Sequence, residues 1–307
     1  MIIAVDAGKF ATKAVSEDNK KTIFRTKSTL ITKSLDIEAA GNSNKITFGD
    51  KSYIVGDQGE HIDYSLEKNT VLHKMAIYLA AYRLGCNGPT NAAIGCPTNI
   101  YVSKENRREF SDNIKNKPSQ LIIDGSEQNI SFDRVLIMPE SSGVVYMHPE
   151  KFKGRRVAVI DLGGRNMNFG IYDDRIPQPS SMFTTNQGSM DIEGRIKRKL
   201  EALYKQALST RDIEQIMDQG GMTYQGKIDP KSMVALEEIY HEYVEDIVKT
   251  INQGSNLDML DVVVTGGTSI LVDGVIPKYI PHMQVVPDTQ WTNPSGFLQI
   301  AKEKFNG

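Results

Sequence analysis

The 307-residue sequence predicts an α/β protein made of two similar domains that face each other across a cleft. Two observations carry this. An apolar strand that ends in an aspartate and runs into glycines occurs once in each half, at residues 2–8 and again at 156–164. After each of these devices the chain passes through further strands and then helices, so the order recurs although there is no short-period repeat and no low-complexity tract. A cleft between related domains is a favoured place for a ligand.

The elements follow in order. Residues 22–25, 47–48 and 53–55 read as strands, with Gly49-Asp50 as the turn between the last two. Apolar positions at Leu72, Met75, Ala76, Leu79 and Tyr82 predict a helix over about 66–84, which Gly85 stops. Residues 92–95 form a short buried strand ending at Cys96-Pro97, and 121–124, 130–132 and 135–138 add three more. In the second half, 157–160 should pair with 168–172. A helix over 191–208 buries Ile192, Ile196, Leu200 and Leu203. Asp229-Pro230 is an N-cap and first-turn pair for a long helix to about 252. Residues 260–264 read as the last core strand, broken into a helix by Thr265-Gly266-Gly267-Thr268.

Composition narrows the function classes. Charged residues are 24% and hydrophobic residues 39%, ordinary for a globular protein. A formal charge of −2 offers no basic footprint, so contact with nucleic acid would run through a partner. Cys86 and Cys96 are the only cysteines, which fits a reducing compartment, with a pairing between them as the alternative. The start turns polar at Asp6, too soon for a signal peptide, and no run approaches the roughly 20 apolar residues of a membrane span. The five histidines are dispersed without metal-ligand spacing. These features predict a cytoplasmic protein with no membrane contact.

Three loops carry candidate chemistry. In Asp6-Ala7-Gly8-Lys9-Phe10-Ala11-Thr12-Lys13 the glycine lets backbone N–H groups close on phosphate oxygens, and Asp6 can serve a magnesium ion or its water. Lys13 would point back at the loop and supply a compact positive charge to β- and γ-phosphates; Lys9 and Thr12 are less decisive. A hairpin with a solvated lysine fits this stretch equally well. Asp161-Leu162-Gly163-Gly164-Arg165-Asn166 repeats the device, and an aspartate before two glycines is a poor choice for plain core. Gly266, Gly267 and Thr268 form the third strand-to-glycine turn, leaving flat backbone for a purine, a ribose or an α-phosphate. None of the three matches G-x-x-x-x-G-K-[ST], and G-x-G-x-x-G is missing.

These pieces, in this order, resemble the actin/Hsp70/sugar-kinase ATPase superfamily. Residues 6–13 look like its phosphate-1 segment, 161–168 like phosphate-2 and 263–268 like the adenosine segment; 139–143 and 293–297 look like its two connecting helices. The resemblance implies an actin-like ATPase fold, with two related RNase H-like domains around a nucleotide cleft. Residues 1–155 plus about 285–307 would make the first domain and 156–284 the second. The short length, the Pro-Glu-Ser at 139–141 and the Gly95-Cys96-Pro97 turn are most similar to ParM-like bacterial actins. By that resemblance Glu140 positions the water that attacks the γ-phosphate, and Gly188 lies near the nucleotide. Asp6 and Asp161 serve Mg²⁺, and the bound nucleotide is ATP or GTP. Arg165 stands where relatives carry small hydroxyl residues; it can reach a phosphate, face solvent or meet a neighbouring subunit. Asn168 stands where a carboxylate is frequent, which weakens any role in positioning water. The basic run Lys197, Arg198 and Lys199 reads as a solvated face.

The implied function is a filament-forming ATPase that segregates plasmid DNA through a ParR-like DNA-binding adaptor. Head-to-tail subunit contacts give open helical filaments. The alternative is a small-molecule kinase of the same superfamily, which needs a catalytic aspartate; Asp57 and Asp63 are the remaining candidates in the first domain. A chaperone would need a further peptide-binding domain, and a membrane-linked actin a basic amphipathic terminus.

Overall fold

Residues 2–5 carry four apolar side chains in a row, and a strand apolar on both faces is stable only between two covering layers. The computed structural model describes residues 1–32, 37–63, 65 and 67–306. It places this segment, β1 (Ile2–Ala7), in the middle of a sheet. β1 pairs antiparallel with β2 (Ala11–Ser16), and β2 with β3 (Lys21–Arg25). The chain then forms β4 (Ser28–Leu30), β5 (Ser43–Phe48), β6 (Lys51–Gly56) and helix α1 (Val71–Arg83). After these come β7 (Gly88–Cys96), α2 (Thr98–Tyr101), α3 (Lys104–Lys115), β8 (Leu121–Ile123), β9 (Ser126–Glu127) and β10 (Ile130–Pro139). The first sheet runs β10-β7-β1-β2-β3, with β7 parallel to both β1 and β10; a smaller sheet runs β4-β6-β5-β8-β9.

Period-two alternation decides what covers β1. Ile3 and Val5 pack with Met75, Ala76 and Leu79 of α1, whereas Ile2 and Ala4 pack with Phe297, Leu298 and Ala301. Those last residues belong to the final helix, so the C-terminal segment returns to the first sheet.

The second sheet repeats the design. After α4 (Gly143–Met147) and α5 (Pro149–Phe152), the chain forms β11 (Arg156–Leu162), β12 (Met167–Asp173), β13 (Ile176–Pro177) and β14 (Phe183–Thr185). Helices α6 (Ser189–Tyr204) and α7 (Thr210–Gln219) follow, then the hairpin of β15 (Thr223–Tyr224) and β16 (Lys227–Ile228), and the long α8 (Pro230–Asn252). β17 (Asp261–Thr265), α9 (Ile276–Tyr279), β18 (Met283–Val285) and α10 (Thr292–Asn306) close the chain. The strand order is β13-β12-β11-β17-β18, with β14 also on β12. Ala158, Ile160, Val262 and Val264 face α6 and α8; Val157, Val159 and Val263 face Val144, Val145 and Phe152. Each central strand is thus buried on both sides, and α4 and α10 link the two sheets. They cross backbone to backbone: a Cβ on Gly296 would collide with the Gly143 carbonyl, and one on Gly143 with the backbone of Thr292 and Asn293.

Several expectations need adjustment. α1 starts at Val71 because Thr70 caps it, its hydroxyl accepting from the His73 amide; the expected start at Leu66 lies outside the described residues. Residues 130–139 are one strand, with a register shift between Phe132 and Val135, not two. α6 ends at Tyr204, where Lys205 turns left-handed at φ 52°, so it does not reach 208. Residues 260–264 are not the last strand, since β18 pairs parallel with β17, and the segment after Thr265 is a 3-10 turn at Gly267–Ile270. The helices α3 and α7 and the strand β14 had no counterpart in the sequence reading.

Candidate functional site

Because β1 and β2 are hairpin partners, Asp6 sits directly across from Lys13, and Asp161 at the end of β11 sits across from Asn168 on one side and Thr265 on the other. The ends of both central strands therefore open onto one cavity of about 360 Å³. Asp6, Gly8, Lys9, Phe10 and Lys13 line it from the first loop. Asp161, Gly163, Gly164, Arg165 and Asn166 line it from the second, Gly266, Gly267 and Thr268 from the third, and Glu140 from the end of β10. The volume suits one drug-sized ligand.

The loops lock onto each other. Thr268 Oγ1 donates to the Gly163 carbonyl at 2.8 Å, tying the third loop to the second. Gly266 has φ 92°, and a Cβ there would run into the Asp161 carboxylate and the Leu162 carbonyl, so both conformation and space require glycine. Phe10 packs the base of its side chain against Gly164 and carries the Arg25 guanidinium 3.7 Å above its ring. Arg25 in turn reaches Glu214 on α7 at 3.0 Å, an ion pair spanning the two sheets.

The charge balance is unusual. Asn293, at the start of α10, donates to Asp161 Oδ2 at 2.9 Å and approaches Asp6 Oδ2 at 3.5 Å, holding the two carboxylates side by side. Burial, and secondarily the neighbouring Asp6, push the Asp161 carboxyl up to about 7. Burial also raises Asp6, with Glu140 adding to it and Lys13 and Lys68 opposing it. Two buried acids that resist ionisation are what a divalent cation would relieve. Asp6 and Asp161 are hard oxygen donors and fit such an ion. Among the described residues no group of three or more His, Cys, Asp or Glu side chains is assembled around a metal position. Mg²⁺, which keeps several waters and takes phosphate oxygens, needs no such group.

Glu140 is buried, with one oxygen hydrogen-bonded and the other facing an ammonium as an ion pair. Lys68 Nζ meets Oε1 at 3.0 Å, and Asn168 Nδ2 donates to Oε2 at 2.9 Å. The next residue, Ser141, adopts φ 84°, left-handed backbone rare for a side-chain-bearing residue. Its hydroxyl meets the Tyr172 hydroxyl at 3.0 Å, and the Glu140 amide donates to the Cys96 carbonyl at 2.8 Å. Asn168 touches Glu140 directly.

Two expected site residues are not brought to the cavity. Thr12 lies on the opposite face of β2 from Lys13 and shares a hydrogen bond with Thr26 at 2.8 Å. Gly188 packs against the backbone of Gly164 and Arg165 as the N-cap of α6, so it buttresses the second loop from behind. Lys9 lines the cavity, but its ammonium is turned to Asp63 Oδ2 at 2.9 Å and the Glu67 carbonyl at 2.6 Å. Burial lowers the Lys9 ammonium to about 8. Burial alone would raise Asp63, yet the hydrogen bonds from Lys9 and Ser65 hold it below the usual carboxylate range. Lys68, Asn293, Arg25 and Glu214 line the same cavity and were missed as site residues. Only Asn293 lay within a segment singled out by motif.

A family model described as "Actin like proteins N terminal domain" matches residues 4–143. No curated protein matches. The archaeal actin homologue Ta0583 superposes with a TM-score of 0.84 at 16% identity, covering 99% of each chain. A second structure of that protein is its complex with ADP. A 15-stranded ParM filament from Clostridium botulinum has a TM-score of 0.81 at 16% identity, with 98% of this chain and 99% of that one covered. The subunit of the Alp12 filament reaches 29% identity at a TM-score of 0.71, over 99% and 98% of the two chains. Residues 4–143 thus match the N-terminal domain of actin-like proteins, and the actin-like fold runs along the whole chain.

Proposed function

We propose that this protein is a filament-forming ATPase that drives plasmid DNA segregation through a DNA-binding adaptor. The observation that carries the reading is the convergence of the Asp6 and Asp161 loops, from different sheets, on one cavity with Lys13 beside them and Glu140 behind. In this reading residues 1–155 with 285–307 form one domain and 156–284 the other, and the nucleotide, ATP or GTP, bridges them. The N–H groups of Gly8, Gly163 and Gly164 approach the β- and γ-phosphates, Lys13 adds a point charge, and Gly266, Gly267 and Thr268 flank the ribose and α-phosphate. Asp6 and Asp161 would hold Mg²⁺. When bound, the ion supplies charge neutralisation on the phosphates. Glu140 accepts a hydrogen bond from the attacking water and aims it in line.

Self-association has a candidate surface. Tyr224, Ile228, Met233 and Val234 are exposed, and Ile228 and Met233 both pack around Gly221, so hairpin and helix start present one apolar patch. The net charge of −2 favours reaching DNA through an adaptor, ParR-like by resemblance. No helix among the described residues is long and apolar enough to cross a membrane, and a cytoplasmic setting is part of the proposal. The kinase alternative finds less support: Asp63 is occupied by Lys9, and Asp57 is exposed at the turn after β6.

Electron microscopy and light scattering with and without Mg-ATP test the reading, with phosphate transfer to a sugar panel as control. Glu140→Ala should bind nucleotide and assemble but turn over about 10²-fold more slowly. Normal turnover in that variant would move the catalytic role elsewhere. Absence of nucleotide uptake by calorimetry in magnesium buffer would sink the whole proposal.

A further inference from the structure

Lys68 stands in an irregular stretch between β6 and α1, with no motif around it. Its side chain is 2% exposed. A buried lysine is costly unless its ammonium is fully engaged. Here Nζ donates to the Ala7 carbonyl, one residue beyond Asp6, and pairs with Glu140 Oε1. Of the three donors an ammonium carries, one bonds the Ala7 carbonyl while the charge pairs with Glu140, and the residue lines the cavity. The opposite Glu140 oxygen is fixed by an equally determined partner. Asn168 Oδ1 accepts from Thr184 Oγ1 at 2.8 Å and from the Thr98 amide at 3.4 Å, which leaves its Nδ2 aimed at Glu140.

We infer that Lys68 is a positioning residue for hydrolysis, clamping the Glu140 carboxylate against Asn168 so that its remaining lone pairs face the terminal phosphate. The inference rests on the proposed ATPase reading. The clamp joins the two sheets: Lys68 comes from the segment packed on the first, Asn168 from β12 of the second. A carboxylate held from both sides is a rigid hydrogen-bond acceptor, and its task is to orient water.

The test is a double-mutant cycle of Lys68→Met and Glu140→Gln on the full chain, reading kcat, KM and ADP affinity separately. The single Lys68 change leaves Glu140 buried without its partner and risks misfolding, whereas the double variant removes both charges and relieves that strain. Each single variant should lose about 10²-fold in kcat, the cost of misplacing a catalytic group. The double variant should lose no more than either single, and ADP affinity should stay within about threefold throughout. Losses that multiply in the double variant would overturn the inference, because Lys68 would then act on the phosphate independently of Glu140. Unchanged kcat in the Lys68 variant relative to the unmodified protein would also overturn it. If the unmodified protein binds ADP but never hydrolyses ATP, the ATPase reading itself fails, and with it the step assigned to Lys68. That result is distinct from any pattern among the variants.

Discussion

Replacing Asp161 by Asn should make the nucleotide-free protein more stable at pH 8 while abolishing its response to magnesium. Its folded-state carboxyl sits at about 7 against an ordinary 3.8. The sign follows from which state holds the proton more tightly. Below 3.8 the group is protonated folded or unfolded and contributes nothing. As pH rises from about 4 to about 7, only the unfolded chain ionises freely, so stability is lost across that window and the full penalty stands above it. The gap of 7 − 3.8, about three units at roughly 1.4 kcal/mol each, sets an upper bound near 4 kcal/mol. The substituted amide keeps an acceptor for Asn293 but buries two donors of its own, which reduces the expected gain to about 1–3 kcal/mol. Melting followed by circular dichroism in EDTA at pH 5 and pH 8 reads this directly, at roughly 2–4 °C per kcal/mol. Wild type should lose more stability between the two pH values than the variant, which keeps only the contribution of Asp6, and Mg-ADP should raise the melting point of wild type alone. A variant no more stable than wild type at pH 8, with the same pH dependence, would refute the claim that Asp161 carries an uncompensated charge.

Three further outcomes are expected. Gly296→Ala places a methyl into the Gly143 carbonyl and should cost at least about 3 kcal/mol or prevent folding, as read by urea denaturation. Arg25→Ala removes the ion pair to Glu214 and the cap on Phe10; stability should change by less than about 1 kcal/mol, whereas fluorescent ADP should dissociate several-fold faster in stopped flow. Thr70→Ala deletes the α1 cap and should lower stability by about 1 kcal/mol, with nucleotide affinity unchanged in calorimetry.

The loops were legible because their signals are local: each aspartate and its glycines lie within a few residues, directly after a strand whose apolar run announces itself. Residues such as Lys68 and Asn293 act through side chains that only the packing of distant segments brings to Glu140 and Asp161. Their own neighbourhoods in sequence carry no periodicity that would mark them. The error at Thr12 was avoidable, since adjacent residues of a strand point to opposite faces and Thr12 cannot join Lys13 in the cavity. β18 escaped detection because it is only three residues long with a polar Gln284 at its centre, and its existence depends on the neighbouring edge of β17.

The meeting of Gly143 and Gly296 has a mechanical meaning. Helices usually engage through ridges of side chains seated in grooves, and turning one against the other means lifting those ridges out. At this junction the main chains touch directly, so nothing interdigitates at the point of closest approach. The joint acts like a ball bearing rather than a gear: stiff against separation, lenient toward rotation. Swivelling of the sheets about it would have to slide Tyr146 along the α10 cluster, and the energy that sets the angle would come in part from whatever occupies the space between Asp6 and Asp161.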